Sequence, residues 1–143
     1  MMDYEAMIAD RNEHNVFAKV NGINIVYCEE GHSIVEMTVT PSSLNPIGSV
    51  HGGCLYTMAD VAAGSAAASY GTVCTTVDSS FYYMNPGLNC KTVVAEATVL
   101  KRGRRVLVID VKVRSDKGTV LCSGMFTYMP VHQPAEDPEK SGR

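Results

Sequence analysis

Residues 53–70, GCLYTMADVAAGSAAASY, form the stretch that decides the fold. Its many alanines give it a high helix propensity, and Gly71 is suited to end the helix. Apolar residues occur on nearly every side of the predicted helix, which is typical of a helix that is buried rather than laid on a surface. Because its side chains are small, a curved sheet can approach closely, and we expect a sheet wrapped round this helix.

The rest of the chain consists mainly of predicted strands. Alternating apolar and polar residues, and turns rich in glycine, proline or charged residues, mark their positions. Six are expected, the last four as a meander, at 23–27, 34–40, 74–84, 92–100, 106–113 and 119–129. Residues 3–14 are expected to form a short amphipathic helix. One long helix against five or six antiparallel strands defines an α+β domain.

The length of 143 residues suits a single domain. We expect a helix and lead-in over 1–21, the helix-and-sheet domain over 22–129, and a polar, proline-containing, disordered tail over 130–143. An open six-stranded sheet has edges that invite pairing with another chain. Dimerisation by edge pairing would protect them, so the sequence favours a homo-oligomer.

Composition and charge argue against several classes of function. The net charge of -3 and pI near 5.7 give no general reason to bind nucleic acid or an anionic membrane. Five cysteines without a CxxC pair argue against disulfides or a zinc knuckle, and favour a reducing, cytoplasmic location. The N-terminus lacks the apolar region of a signal peptide, and no stretch is long enough to span a membrane. The four histidines lack metal-ligand spacing, so no metal site is expected.

The loop that leads into the helix, NPIGSVHGG at 45–53, carries the first candidate site. Glycine at 52 and 53 allows a ligand to approach the backbone closely. The free N–H groups at the start of a helix favour an anion or a developing oxyanion. A tight turn between loop and helix would require glycine equally well, so both interpretations stand.

Asp60 is the second candidate, because it lies two turns into the apolar helix. No charged residue occurs near it between Cys54 and Thr76. Burying a carboxylate without a partner costs several kcal/mol, roughly, so such residues often belong to functional sites. A solvent-facing position or a structural ion pair is the alternative. In the preceding loop, Asn45 can orient a water or a carbonyl, and His51 can act as a base or, as we favour, hold the loop.

Two further features have weaker signals. Residues 101–105 place four cations and a glycine in one hairpin of an acidic protein, which is either a solvated turn or a clamp for phosphates. Cys54 lies near the predicted helix start, which could lower its pKa and make it a nucleophile. A small buried cysteine without a catalytic role is the commoner case. The sequence contains no GxSxG, P-loop or GxGxxG motif.

The run Asn45-x2-Gly48-x2-His51-Gly52-Gly53-x6-Asp60 resembles the signature of the hotdog-fold thioesterases of the phenylacetic-acid-degradation type, a group that includes the acyl-CoA thioesterase 13-like enzymes. The resemblance extends over about 22–128 and implies a sheet wrapped round one helix. It also implies hydrolysis of acyl-CoA thioesters, with the Gly52 N–H as the oxyanion hole. In such enzymes Asp60, from a neighbouring subunit, would be the general base or nucleophile.

The same resemblance implies further roles. Asn45 would orient the water or carbonyl, His51 would support the loop, and Thr76 would stand where some relatives carry a serine near the attacking water. The expected contacts to substrate or coenzyme A are Gly53, Tyr83, Met84, Asn85, Pro86, Lys101, Arg102, Gly103, Arg104 and Arg105. Since a thiolate leaves readily, no metal or organic cofactor is expected. A dimer is the expected minimal active unit, and a tetramer the expected assembly.

Other functions stay open at this stage. A hotdog acyl-thioester dehydratase or hydratase would use the histidine as its acid–base residue, although such enzymes place it in a different setting. A non-catalytic acyl-CoA binder would bind the ester without turnover. The sequence does not determine which acyl group is bound. The aromatic residues and the methionine that could line an acyl pocket could equally belong to the core, which is the commoner position of such residues. These candidates are Tyr56, Met58, Phe81 and Tyr82.

Overall fold

A computed structural model describes residues 1–131. A sheet surrounds one long helix, as the sequence predicts, but two short helices precede it where the sequence predicts only one. The helices are α1 (Tyr4–His14), α2 (Val16–Val20) and α3 (Gly52–Ala68), and the strands are β1 (Ile23–Glu29), β2 (His32–Thr38), β3 (Cys74–Tyr83), β4 (Thr92–Arg102), β5 (Leu107–Ser115) and β6 (Val120–Pro130). Pro130, where the tail was expected to start, still pairs with Cys74 in the sheet. Residues 132–143 of that predicted tail lie outside the described residues.

The strand order differs from the expected meander. The sheet is antiparallel throughout, in the order β1-β2-β4-β5-β6-β3. Only β4, β5 and β6 follow one another as a meander, and β3 pairs with β6 instead of β4. The expectation of a four-strand meander was wrong because α3 delivers the chain to β3, and no tight turn ties β3 to the strand that follows it.

The core lies between α3 and the concave face of the sheet. The helix contacts every strand, and its alanines let the sheet close round it. The buried helix residues include Leu55, Met58, Ala59, Ala62, Ala63 and Ala66, and the opposing sheet residues include Val35, Met37, Val93, Ile109, Val111 and Phe126. Among residues 1–131, no helix is long and apolar enough to cross a membrane.

The two edges of the sheet are protected differently. At β1, the Asn12 side chain accepts from the Ile25 N–H (2.9 Å) and donates to the Ile25 carbonyl (3.0 Å), and the strand has a bulge at the next residue. At β3, ten residues long, no other segment of residues 1–131 pairs with the outer edge, which is therefore bare within the described part of the chain, and Val77, Tyr82 and Tyr83 are each more than half exposed. Bulges and covering side chains block edge pairing, whereas a long apolar edge invites it. β3 is therefore the edge suited to a second chain.

Candidate active site

The turn at the start of α3 leaves one backbone donor free. His51 is the N-cap residue, and its Nδ1 accepts a hydrogen bond from the Gly53 N–H at 2.8 Å. Its carbonyl accepts from the N–H groups of Cys54 (2.9 Å) and Leu55 (3.2 Å). Within residues 1–131, the Gly52 N–H has no acceptor. The first turn of the helix therefore presents one unsatisfied donor at a partly exposed position.

Tyr83 explains why residue 52 is glycine. The Tyr83 hydroxyl donates to the Gly52 carbonyl at 2.9 Å, and its ring lies against the same residue. A Cβ atom at Gly52 would stand 3.2 Å from the ring carbon Cε1 of Tyr83, which is tighter than an ordinary contact. Thus glycine here both accommodates a neighbouring ring and keeps the backbone accessible, so the two interpretations of the motif are compatible.

Asn45 builds the loop that precedes the helix. Its Oδ1 accepts from the N–H groups of Ile47 (3.1 Å) and Ser49 (3.0 Å), and its Nδ2 donates to the Ser49 hydroxyl at 2.7 Å. These are the contacts of an Asx turn, which shapes a loop from within. One Nδ2 hydrogen is left for a ligand, so orientation of a water or carbonyl by Asn45 stays a prediction.

Asp60 lies half-buried at the middle of α3, with its two carboxylate oxygens in different surroundings. Oδ1 accepts hydrogen bonds from the hydroxyls of Thr76 (2.8 Å) and Tyr128 (2.5 Å). No described residue donates to Oδ2. The expected carboxylate without a charged partner is therefore present, but two hydroxyl groups anchor one of its oxygens. The other oxygen is free to contact a water or a substrate.

The Tyr128 hydroxyl remains a donor across the physiological pH range. Burial is the largest cause that raises the pKa of Tyr128 far above its usual value, and the negative charge of Asp60 raises it further. The same hydroxyl lies 2.8 Å from the Asp60 backbone carbonyl. The hydroxyl has only one proton to donate. It donates to the carboxylate oxygen, which is charged and closer than the carbonyl oxygen. Tyr128 is a site residue that the sequence analysis missed.

The cavity at Asp60 has a volume of about 170 Å³. Besides Asp60, Thr76 and Tyr128, its lining includes Arg11 from α1, Asn15 between α1 and α2, and Gly64 from α3. No local sequence pattern points to Arg11 or Tyr128 as partners of Asp60, because both lie far along the chain from residue 60. Only the alternation of β6, which turns Tyr128 inward, could have suggested it.

Gly52 and Asp60 are too far apart in one chain to act on the same carbonyl. Eight residues of α-helix separate them by about 12 Å along the axis. A donor and a base each need to lie within about 3 Å of the reacting atoms. Gly52 and Asp60 of one chain therefore cannot together contact one reacting carbonyl group.

The basic hairpin at residues 101–105 connects β4 to β5. The Arg102 guanidinium lies 4.1 Å from the centre of the Tyr70 ring, a cation–π contact. Arg102 and Arg104 line a cavity of about 460 Å³ that Cys74 also lines. None of the four hairpin cations forms an ion pair with a described residue. Four cations without carboxylate partners leave this hairpin open to an anionic ligand.

The other expected contact segment, residues 83–88, lies at the opposite end of α3. Met84, Asn85 and Pro86 line a cavity of about 320 Å³ together with Gly52, at the start of the helix. The hairpin cavity lies by Ala67, at the end of it. The helix has 17 residues and is about 25 Å long. Within one chain, the two segments therefore lie at opposite ends of α3, just as Gly52 and Asp60 lie apart on the same helix.

The remaining candidates are placed as follows. Burial raises the pKa of the half-buried Cys54 thiol, which disfavours the nucleophilic thiolate. Met58 belongs to the core and Tyr82 is exposed, whereas Tyr56 packs against Phe81 in an aromatic cluster. Within residues 1–131, no three His, Cys, Asp or Glu side chains are grouped as metal ligands.

Comparison with known proteins places the chain in a family. The model of the family described as "Thioesterase superfamily" matches residues 47–122, more than half of the chain. The chain belongs to the thioesterase superfamily. The predicted hotdog architecture and the predicted class of enzyme are both confirmed.

Individual thioesterases show the same relationship. The acyl-coenzyme A thioesterase PaaI of Escherichia coli is 35% identical over 101 residues, which cover 71% of this chain and 72% of that protein. Human acyl-coenzyme A thioesterase 13 is 30% identical over 126 residues, covering 86% and 88%. The solved structure of E. coli PaaI matches with a TM-score of 0.82 at 28% identity, covering 87% of this chain and 90% of PaaI.

A protein from Streptococcus pneumoniae that is described as a hypothetical thioesterase is also similar. Its structure with coenzyme A matches with a TM-score of 0.78 at 28% identity, covering 87% of this chain and 99% of that one. Two further structures of that protein carry single alanine substitutions, one of an aspartate and one of a threonine 16 positions later. Each matches with a TM-score of 0.72 at 30% identity and covers 78% of this chain.

Proposed function

We propose that the protein hydrolyses acyl-CoA thioesters at sites that two copies of the chain build together. The observation that carries the proposal is that α3 has a free Gly52 N–H and a free Asp60 Oδ2, on residues about 12 Å apart along the helix axis. Two similar proteins are acyl-coenzyme A thioesterases, and a third has been solved with coenzyme A bound. In this proposal, one chain holds both halves of a thioester-cleaving site, but not in one place.

Pairing of the bare β3 edges would bring the halves together. If two β3 strands pair antiparallel about a twofold axis, the two α3 helices are also antiparallel, because each is fixed to its own sheet. The start of one helix then lies beside the middle of the other. Gly52 of one copy can face Asp60 of the second, and the hairpin of one copy can face residues 83–88 of the second.

In the proposed reaction, the Gly52 N–H stabilises the oxyanion that forms when the thioester carbonyl is attacked. Asp60 Oδ2 takes a proton from water, whose oxygen bonds to the carbonyl carbon while the carbon–sulfur bond breaks. The coenzyme A thiolate leaves and is protonated in turn. Direct attack by Oδ2, followed by hydrolysis of the resulting anhydride, is the second route. Neither route requires a metal or organic cofactor.

Thr76 is proposed to fix the orientation of Asp60. Its hydroxyl donates to Oδ1, and 16 positions separate the two residues. The same separation and residue types occur in the pair that was substituted in the S. pneumoniae thioesterase. His51 is proposed to be structural, since its Nδ1 is used to cap the helix.

The hairpin of residues 101–105 is proposed to bind the phosphates of coenzyme A. Arginine and lysine without carboxylate partners suit a phosphate, and the rest of the protein is acidic. We also propose a dimer as the minimal active unit, a tetramer as the assembly, and a cytoplasmic location. All five cysteines are free, which agrees with a reducing compartment.

The activity is tested with a panel of acyl-CoAs and detection of the free thiol. We expect thiol release with wild-type protein and none above background with Asp60→Asn. Tight binding without release would instead favour a non-catalytic binder. Hydration of crotonyl-CoA without thiol release would favour a hydratase.

The shared site is tested by mixing two inactive variants. Asp60→Asn keeps the backbone donor, whereas Gly52→Pro removes it but suits the first position of a helix. In the mixed dimer, one site has both groups and the other has neither, so an equal mixture should recover about a quarter of wild-type activity. No recovery after exchange of subunits, or an active monomer in sedimentation, would contradict the shared site.

A further inference from the structure

Gly64 is an unexpected residue at the centre of α3. It is buried in an alanine-rich stretch, where glycine costs about 1 kcal/mol of helix stability relative to alanine. A Cβ atom there would lie 3.1 Å from the Tyr128 hydroxyl oxygen and 3.3 Å from Nη2 of Arg11. The glycine therefore leaves room for two polar side chains, from β6 and from α1, to converge beside Asp60.

Tyr128 is in direct contact with the Asp60 carboxylate. Its hydroxyl donates to Oδ1 at 2.5 Å, and the tyrosine side chain is buried. Thr76 donates to the same oxygen from the other side of the cavity. Two donors on one carboxylate oxygen leave a single orientation in which the second oxygen, Oδ2, is unbonded.

Arg11 contributes charge rather than a direct bond. Its Nε is buried without a hydrogen-bond partner, and its guanidinium forms no ion pair with any residue of 1–131. Asp60 carries the only carboxylate among the described residues that line this cavity. The negative charge of Asp60 helps to raise the pKa of Tyr128, and the positive charge of Arg11 lowers it. Arg11 is therefore close enough to act electrostatically on the Tyr128–Asp60 pair. A buried cation is most stable near a compensating anion.

We propose that Tyr128 and Arg11 are positioning residues for Asp60, for which Gly64 makes room. Tyr128 turns Oδ2 toward the substrate, and Arg11 supplies a positive charge in the same cavity as the carboxylate. The inference rests on the proposed role of Asp60 in thioester hydrolysis. The other titratable side chain in the cavity is Cys74 of β3, whose pKa is raised by burial so that it stays neutral near pH 7.

Tyr128→Phe tests the hydrogen bond. We expect kcat to fall about 10-fold with KM unchanged, because a charge-assisted bond to the base is lost. The acidic limb of the kcat/KM profile should move to higher pH, since that bond favours the charged carboxylate. Tyr4→Phe is the matched control, because the Tyr4 hydroxyl donates to the Ser69 carbonyl at the far end of α3. It should leave both kcat and the pH profile unchanged.

Arg11→Met tests the charge, and Arg11→Lys is its conservative partner. Loss of the positive charge should move the acidic limb to higher pH, and lysine should restore most of the wild-type profile. A purely structural role for Arg11 would lower stability equally in both variants without moving the limb.

Gly64→Ala tests the room that glycine provides. We expect kcat to fall as the Tyr128 hydroxyl is pushed aside. In a Tyr128→Phe background the same change should have little further effect, because the displaced hydroxyl is absent. Additive losses in this double-mutant cycle would argue against the inference.

The outcomes separate this inference from the proposed function. If Asp60→Asn retains wild-type activity, the proposed function fails and this inference fails with it. If Asp60→Asn is inactive while Tyr128→Phe and Arg11→Met match the wild type in kcat and pH profile, only the positioning role is overturned.

Discussion

The start and the middle of α3 carry the two halves of the proposed site, and they are built in different ways. At the start, the proposed functional group is the Gly52 backbone N–H, left free because the side chain and carbonyl of His51 accept from the N–H groups of Gly53, Cys54 and Leu55 instead. In the middle, the functional group is the side chain of Asp60, oriented by Thr76 and Tyr128. The first half is made largely by neighbours in sequence, and the second by residues brought together only by the fold.

The two halves are therefore inactivated by different kinds of substitution. A backbone donor is lost only when the N–H itself is removed or displaced, whereas a carboxylate is disabled by any change to its charge or orientation. Four variants test the comparison, and they are ordered by the size of the expected effect.

The largest effect is expected at Asp60. Asp60→Asn keeps the size of the side chain but removes the base, and we expect kcat to fall by about 10³-fold. The control is Asp110→Asn, which changes a carboxylate of β5 that is ion-paired with Lys112 at 3.0 Å. Steady-state thiol release should show the control within twofold of wild type, roughly, since Asp110 does not face the cavity. Equal losses in both variants would mean that Asp60 has only a structural role.

The second effect is expected at Gly52. Gly52→Pro removes the N–H, and the backbone of His51 (φ -59°, ψ 133°) already suits a residue before proline. We expect kcat to fall by about 10²-fold, as for loss of an oxyanion-hole donor. Gly52→Ala keeps the N–H and introduces the same contact with the Tyr83 ring, so it is the matched control. If alanine and proline at this position are equally damaging, the N–H is not the important group.

The third effect concerns the basic hairpin, which lies near one end of α3 only. Arg104→Ala with Arg105→Ala should raise KM for acyl-CoAs about 10-fold, because charge-assisted contacts to phosphate are lost. KM for a pantetheine thioester, which lacks the nucleotide phosphates, should not change. As a control, Lys112→Ala with Arg114→Ala removes two cations of β5 that have carboxylate partners. Equal changes in KM for both substrates would argue against a phosphate clamp.

The smallest catalytic effect is expected at His51. His51→Ala removes the N-cap acceptor and should lower the free energy of unfolding by about 1 kcal/mol, measured by denaturant titration. Because the imidazole is occupied with the Gly53 N–H, kcat should fall far less than in Asp60→Asn. His14→Ala, on the exposed face of α1, is the control for loss of a histidine. A loss of kcat as large as that of Asp60→Asn would give the histidine a chemical role and favour the hydratase alternative.

The predicted elements agree with the structure because their signals are local. Helix propensity identified α3, and alternation identified strands such as β2, in each case within a few residues of the observed bounds. The order of β3 in the sheet was predicted wrongly, since no local pattern records which strands pair after a long helical connection. The bare edge that this order creates is the surface proposed to bind the second copy.

The sequence by itself determined the helix, the number of strands, and the glycine turn with its aspartate, because propensity, periodicity and motif spacing act over short stretches of chain. Only the tertiary structure decided that β3 lies at an edge, that Asp60 is held by Tyr128 from β6, and that Arg11 lies in the same cavity. The physical reason is that pairing and packing bring together side chains up to 68 positions apart in the sequence, as for Asp60 and Tyr128. No local pattern encodes such contacts.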